Sequence, residues 1–227
     1  MTEAEWLACT NPHKLLRAVW ERMTPRQALL LVAAYAWRVW QWVPSEIPNT
    51  VLRLLESMLE PEAPPAEPGT VDAALEVVRA ALARSDCPSA RLIGTGRHMS
   101  FLDNVSDIML LVRVIKTAPR AGLVSTVKER RGKERRVQRR ILLDIVGNPF
   151  RRVVLATSWL TPTVRELVQA AYDGRLPLGH LELDRLAVLS DALEEAGCDD
   201  AAILDHLRGP GPHVRGCWVF DLLLGKA

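Results

Sequence analysis

At 227 residues, 48% hydrophobic and 25% charged, the chain has the composition of an ordinary globular protein, with length for one large body or two small ones. A formal charge of +2 excludes a surface built wholly for polyanions, so any electrostatic function must come from a local cluster. Four scattered cysteines, Cys9, Cys87, Cys198 and Cys217, argue against a disulfide framework and predict reduced thiols in a cytoplasmic setting.

The start, MTEAEW, lacks the basic-then-apolar pattern of a secretory signal. Residues 12–22 place Leu15, Leu16 and Val19 on one helical face. Thr24 as N-cap and Pro25 at the first helical position then open a long helix to Val43. Its run ALLLVAAYAWRVWQWV is short of the roughly 20 apolar residues of a spanning helix and carries Arg38, so it reads as a buried helix and no membrane partner is expected. Trp6, Trp20, Trp37, Trp40 and Trp42 read as packing residues.

NTVLRLLESMLE repeats its apolar residues at helical spacing and stops at PEAPPAEPG, residues 61–69, the clearest linker in the chain. TVDAALEVVRAALAR and DNVSDIMLLVRVIK read as helices, the second with a buried strand as competitor. Gly94 and Gly96 lack the third glycine and the strand-turn-helix setting of a nucleotide fingerprint. A long helix from Leu123 to Val146 ends at GNPF, where Gly147 suits a C-terminal cap. RRVVLATSWL is extended by composition. Thr161 and Pro162 open a helix with Val164, Leu167, Val168 and Ala171 inward; the next carries Leu183, Leu186, Leu189 and Leu193 along one side and closes at Gly197. A short helix DDAAILDHL and a terminal apolar turn CWVFDLLLGK complete the chain.

MTEAEWLACTNP, LLDIVGNPFRRVVLATSWLTPTVRELVQAAYDGR and LAVLSDALEEAGCDDAAILDHLRGPGPHVRGCWVFDLLLGK resemble an uncharacterised family of small helical proteins that planctomycete bacteria encode in many variant copies. The likeness covers about the first 45 residues and the last 85, and implies a helical fold without carrying over an activity. RLAVLSDALEEAGCDD is also similar to the planctomycete repeat-companion segment. The family pattern has cysteines where this chain has AAYAWRVW, and often one in place of Leu207, which argues against carrying over a thiol chemistry.

Two constellations stand out. In RGPGPHVRGCW, residues 208–218, the prolines and glycines preclude helix and suit a stiff connector that docks Trp218, Val219, Leu222 and Leu223. Against that stands a ligand count: Cys198, His206, His213 and Cys217 are S and N donors of the kind zinc takes, but seven, six and three intervening residues match no familiar finger or ribbon. A third reading makes His213 the base and Cys217 the nucleophile of a thiol enzyme. The second constellation, KERRGKERRVQRR at 128–140, carries a local +6 that leaves the rest of the chain at −4. Arg130, Arg131, Lys133, Arg135, Arg136, Arg139 and Arg140 are candidates for a polyanion or an acidic partner, with Arg131, Arg135 and Arg139 on one helical face; the competing reading is a merely solvated arm, in which Glu129 pairs with Lys133.

The sequence therefore predicts a mainly α protein, an irregular multi-helix bundle with long loops and at most one or two short strands. Its regions are an N-terminal helical lobe at 1–60, the linker 61–69, and a C-terminal helical region 70–227 with a protruding basic helix at 123–146, the two lobes being open to forming one continuous body. The favoured function is a non-enzymatic helical protein-interaction module. The alternatives are nucleic-acid binding through 128–140 and a metal or thiol enzyme at the C-terminal Cys/His loop. No catalytic residue and no cofactor is assigned, zinc staying open for the C-terminal set; protein is the first expected partner, nucleic acid the second, and the oligomeric state is open.

Overall fold

The structure, a computed structural model, describes residues 1–40, 127–176 and 180–226. The linker 61–69, the segments NTVLRLLESMLE, TVDAALEVVRAALAR and DNVSDIMLLVRVIK, and the Gly94/Gly96 pair lie outside the described residues. The described part is mainly α. Eight helices are described: α1 (Glu3–Ala8), α2 (Pro12–Val19), α3 (Pro25–Trp40), α4 (Val127–Val146), α5 (Pro162–Asp173), α6 (Leu183–Glu195), α7 (Ala201–Leu207) and α8 (Trp218–Leu223). No strand forms among the described residues; RRVVLATSWL ends in a 3₁₀ turn at Thr157–Trp159, and His180 and Val214 form an isolated antiparallel bridge.

Short polar side chains start the helices. Thr2 and Glu5 exchange side-chain and backbone hydrogen bonds, and Thr24 and Gln27 do the same ahead of α3, so both helices open on a capping box. Asn11, Thr161 and Asp200 accept from the backbone N–H groups of His13, Val164 and Ala202, and Pro12 and Pro162 take first-turn positions where a missing N–H costs nothing.

The chain divides into two units, the first made of Met1–Leu7 with Arg140–Ala227 and the second of Ala8–Arg139. In the second unit Leu15, Leu16, Val19, Leu30, Leu31, Tyr35 and Trp37 are buried. Tyr35 donates its hydroxyl to the carbonyl of Gln138, and Arg139 donates Nε–H to the carbonyl of Cys9 at 2.7 Å.

In the first unit α6 packs on α5 and α7, and α8 packs on the same two helices. Val164, Val168, Tyr172, Leu186, Leu189, Leu193, Ile203, Val219 and Phe220 form one core, each large side chain giving about 1.5–3 kcal/mol on burial. Leu183, expected inward, is 47% exposed, because it is the first residue of α6 and lies past the core at the helix start. Ile141, Leu142 and Ile145 bury the last turns of α4, and Trp6 packs edge-on against Phe150.

Candidate metal centre

Four polar side chains meet inside the first unit. Asp144 comes from the last turns of α4, His206 from the end of α7, His213 from the connector, and Cys217 from the N-cap of α8. One donor atom from each lies within 4.8 Å of the other three. Asp144 Oδ1 sits 2.7 Å from His213 Nδ1 and 3.0 Å from His206 Nε2, and His206 Nε2 is 3.1 Å from Cys217 Sγ. Cys217 is 0% exposed, Asp144 and His213 are buried, and His206 is the one member that reaches a surface opening, its side chain 19% exposed.

The connector is held so that His213 faces inward. Leu181 N–H donates to the carbonyl of His213, and Val214 N–H donates to Asp144 Oδ2 at 2.8 Å, which clamps the backbone on both sides of the ring. Gly211 makes the approach feasible: its φ is +63°, and a Cβ there would lie 3.0 Å from the backbone nitrogen of His213. The RGPGPHVRGCW stretch thus runs from α7 to α8 and brings two of the four donors, His213 and Cys217, to the cluster.

Electrostatics bind the cluster together. Burial pushes the Asp144 carboxyl up, but hydrogen bonds and charge from His206 and His213 outweigh it and hold the group below its ordinary value. Burial pulls His213 down, and the Asp144 carboxylate more than reverses this, so the imidazole is raised. Burial and the nearby Asp144 charge push the Cys217 thiol well up, against the pull of the Phe220 and Val219 N–H groups that open α8.

This arrangement fits a cation better than a nucleophile. A buried thiol held in its neutral form is a poor nucleophile. The ring nitrogen beside Cys217 Sγ belongs to His206, which corrects the pairing of Cys217 with His213 expected for a thiol enzyme. A tetrahedral zinc with bonds of about 2.0–2.3 Å would set its ligand atoms roughly 3.3–3.6 Å apart. The observed 2.7–3.1 Å contacts would therefore open by a few tenths of an ångström to about half an ångström on metal entry. The outer contacts suit ligation too: Asp144 Oδ2 takes the Val214 N–H, His213 Nε2 faces the carbonyl of Gly209 at 3.3 Å, and the N–H groups of α8 support the sulfur. A cavity of about 210 Å³ lined by Asp144, His206, His213 and the loop 209–212 supplies an entry path.

Of the four donors expected from the sequence, His206, His213 and Cys217 converge and Cys198 does not. Gly197 N–H bonds the carbonyl of Glu194 and Cys198 N–H bonds that of Leu193, a helix-ending motif that turns Cys198 into the hydrophobic core. Asp144 takes its place. The local signal for it is a single carboxylate in an otherwise apolar turn, ILLDIV, next to a glycine cap.

The basic candidates separate as well. Lys133, Arg135, Arg136 and Arg140 are exposed, whereas Arg139 is half-buried and bonded to Cys9, so the proposed row of Arg131, Arg135 and Arg139 is not a free face; the side chains of Arg130 and Arg131 lie outside the described ones. No described helix is long and apolar enough to cross a membrane. No protein-family model, no curated protein and no solved structure matches this chain, so the reading of the site rests on its own atoms.

Proposed function

We propose that the first unit is a metal-stapled helical module: Asp144, His206, His213 and Cys217 hold one zinc-class cation in a closed structural site, and the protein acts in the cytoplasm as a non-enzymatic scaffold for a protein partner. The observation that carries the reading is the convergence of four donor atoms within 4.8 Å from residues spread over 74 positions of sequence. Two imidazoles, a sulfur and a carboxylate suit zinc over magnesium or calcium, which prefer all-oxygen shells. Four protein ligands leave no open coordination position, the mark of a structural site and not a catalytic one. The helices then present a surface fixed from within.

Native mass spectrometry of the full chain purified without chelator tests it. One zinc per chain is expected, retained in Cys198→Ser and absent from Cys217→Ser and His213→Ala. A bare chain mass even after zinc supplementation overturns the reading.

The exposed cations Lys133, Arg135 and Arg136 support a second reading, a polyanion contact along the basic part of α4. Its test is the salt dependence of duplex DNA binding, which should flatten when these three are replaced by alanine.

A further inference from the structure

The two histidines of the cluster stand in opposite hydrogen-bonding states. His213 turns Nδ1 toward Asp144 and directs Nε2 at the carbonyl of Gly209, an acceptor, so Nε2 carries a hydrogen and Nδ1 is the nitrogen available to a cation. His206 is arranged the other way round. Its Nε2 faces Asp144 and Cys217, while its Nδ1 lies 3.2 Å from Trp218 Nε1. An indole nitrogen donates and cannot accept, so His206 Nδ1 is held as a bare acceptor and the ring hydrogen sits on Nε2, inside the cluster.

A cation bound at Nε2 needs that nitrogen bare. The neutral ring must then carry its hydrogen on Nδ1, where it would confront the Trp218 N–H head to head. Metal entry and the Trp218–His206 hydrogen bond are mutually exclusive.

Trp218 is well placed to impose this cost. It follows Cys217 directly and opens α8, so ligand and indole are carried by one turn of backbone. Its ring lies against Gly147, where an added Cβ would sit 3.1 Å from Trp218 Cγ, and its centroid is 5.2 Å from that of His206. The glycine at the end of α4, φ +67°, thus leaves room for the indole.

We propose that Trp218 is a built-in brake on metal loading, its N–H occupying His206 Nδ1 until a cation displaces it. The inference rests on the metal reading above. On loading, the hydrogen of His206 leaves Nε2 and one returns from solvent to Nδ1. His213 releases its Nδ1 proton, Cys217 releases its thiol proton, and the indole N–H turns from the histidine.

The test is a cobalt(II) titration of the full chain, followed by visible absorption, in wild type and in Trp218→Phe, with zinc affinity taken by competition. Phenylalanine keeps an aromatic ring against Gly147 and removes the N–H donor together with the outer part of the indole. About fivefold tighter binding and faster uptake are expected in Trp218→Phe, since one neutral hydrogen bond no longer opposes the cation. A residue that served packing alone would weaken binding when replaced. Equal or weaker binding by Trp218→Phe overturns the brake while leaving the metal site intact. Cobalt and zinc binding by neither protein overturns the metal reading and the brake with it. Should Trp218→Phe fail to fold, the indole N–H resonance of Trp218 in ¹⁵N-labelled wild type decides: it must leave its hydrogen-bonded position as zinc is added, and an unmoved signal in a zinc-loaded protein overturns the proposal.

Discussion

Removing the cation separates a fold stapled by metal from one that packs unaided. The four donors reach the site from α4, α7, the connector and α8, so only the folded first unit presents them together. A cation that binds the folded state alone stabilises it by about 4 kcal/mol when its free concentration is about a thousand times its Kd. The first unit has about a hundred residues, for which each kcal/mol moves Tm by roughly 4–8 °C. Differential scanning calorimetry in zinc-buffered medium and in chelator should therefore show the transition of this unit roughly 16–32 °C apart. Cys217→Ser and Asp144→Asn should lose that interval, and Cys198→Ser should keep it, because Cys198 points into the core. A wild-type Tm that is the same in chelator and in zinc would refute the reasoning.

Acid and base should act on the two forms in opposite directions. Asp144 is lowered in the folded chain, so its contribution exists above the ordinary carboxylate value and is lost as pH falls through its folded value. His213 is raised, so its contribution exists below the ordinary histidine value and is lost as pH rises through its folded value. The chelated protein is thus expected to have its highest urea midpoint between about pH 4 and about pH 6.5, and to weaken above that. The zinc-loaded protein should strengthen over the same rise, since ligation needs deprotonated donors; midpoints moving in parallel would contradict this. Gly211→Ala forces a side chain against His213 at positive φ and should cost about 1–3 kcal/mol and weaken cobalt binding, and a urea midpoint equal to wild type would speak against the connector's role. If the basic part of α4 meets phosphates, replacing Lys133, Arg135 and Arg136 by alanine should reduce the salt slope of duplex DNA binding by about 2.7; an unchanged slope removes that reading.

Helices were legible in the sequence wherever caps and periodicity agreed. Thr24 with Pro25 and Thr161 with Pro162 announce α3 and α5, and the buried residues Val164, Val168 and Ala171 are those the spacing picks out. Gly147 was readable as the end of α4, and its N–H bonds the carbonyl of Leu143 as a helix cap should. Leu183 shows where the reasoning fails: a 3.6-residue stripe extends a face along a helix and cannot tell how far the neighbouring core extends. RRVVLATSWL, expected to be extended with at most one short strand, forms no helix before its 3₁₀ turn at Thr157–Trp159. Its β-branched content suits a strand, but a strand needs a partner ladder, and none forms among the described residues.

The site was half legible, for a reason that lies in chain distance. His206, His213 and Cys217 fall within one short stretch and can be counted from it, but the fourth donor is fixed by tertiary packing. Cys198 is nearer in sequence and of a suitable type, yet the backbone turn after α6 spends its N–H on Leu193 and carries its sulfur into the core. Asp144 stands 62 residues before His206 in a helix whose preceding turns are strongly basic, and reading that helix for its charge conceals it. Asp144 follows the buried Ile141 by three residues and so shares its face of the helix, and a buried carboxylate needs compensating partners. Val214 N–H and two imidazoles supply them here, joining the end of α4 to the last turns of the chain. A single acid in an apolar helical turn is thus itself a prediction of a distant cationic or metal-binding partner.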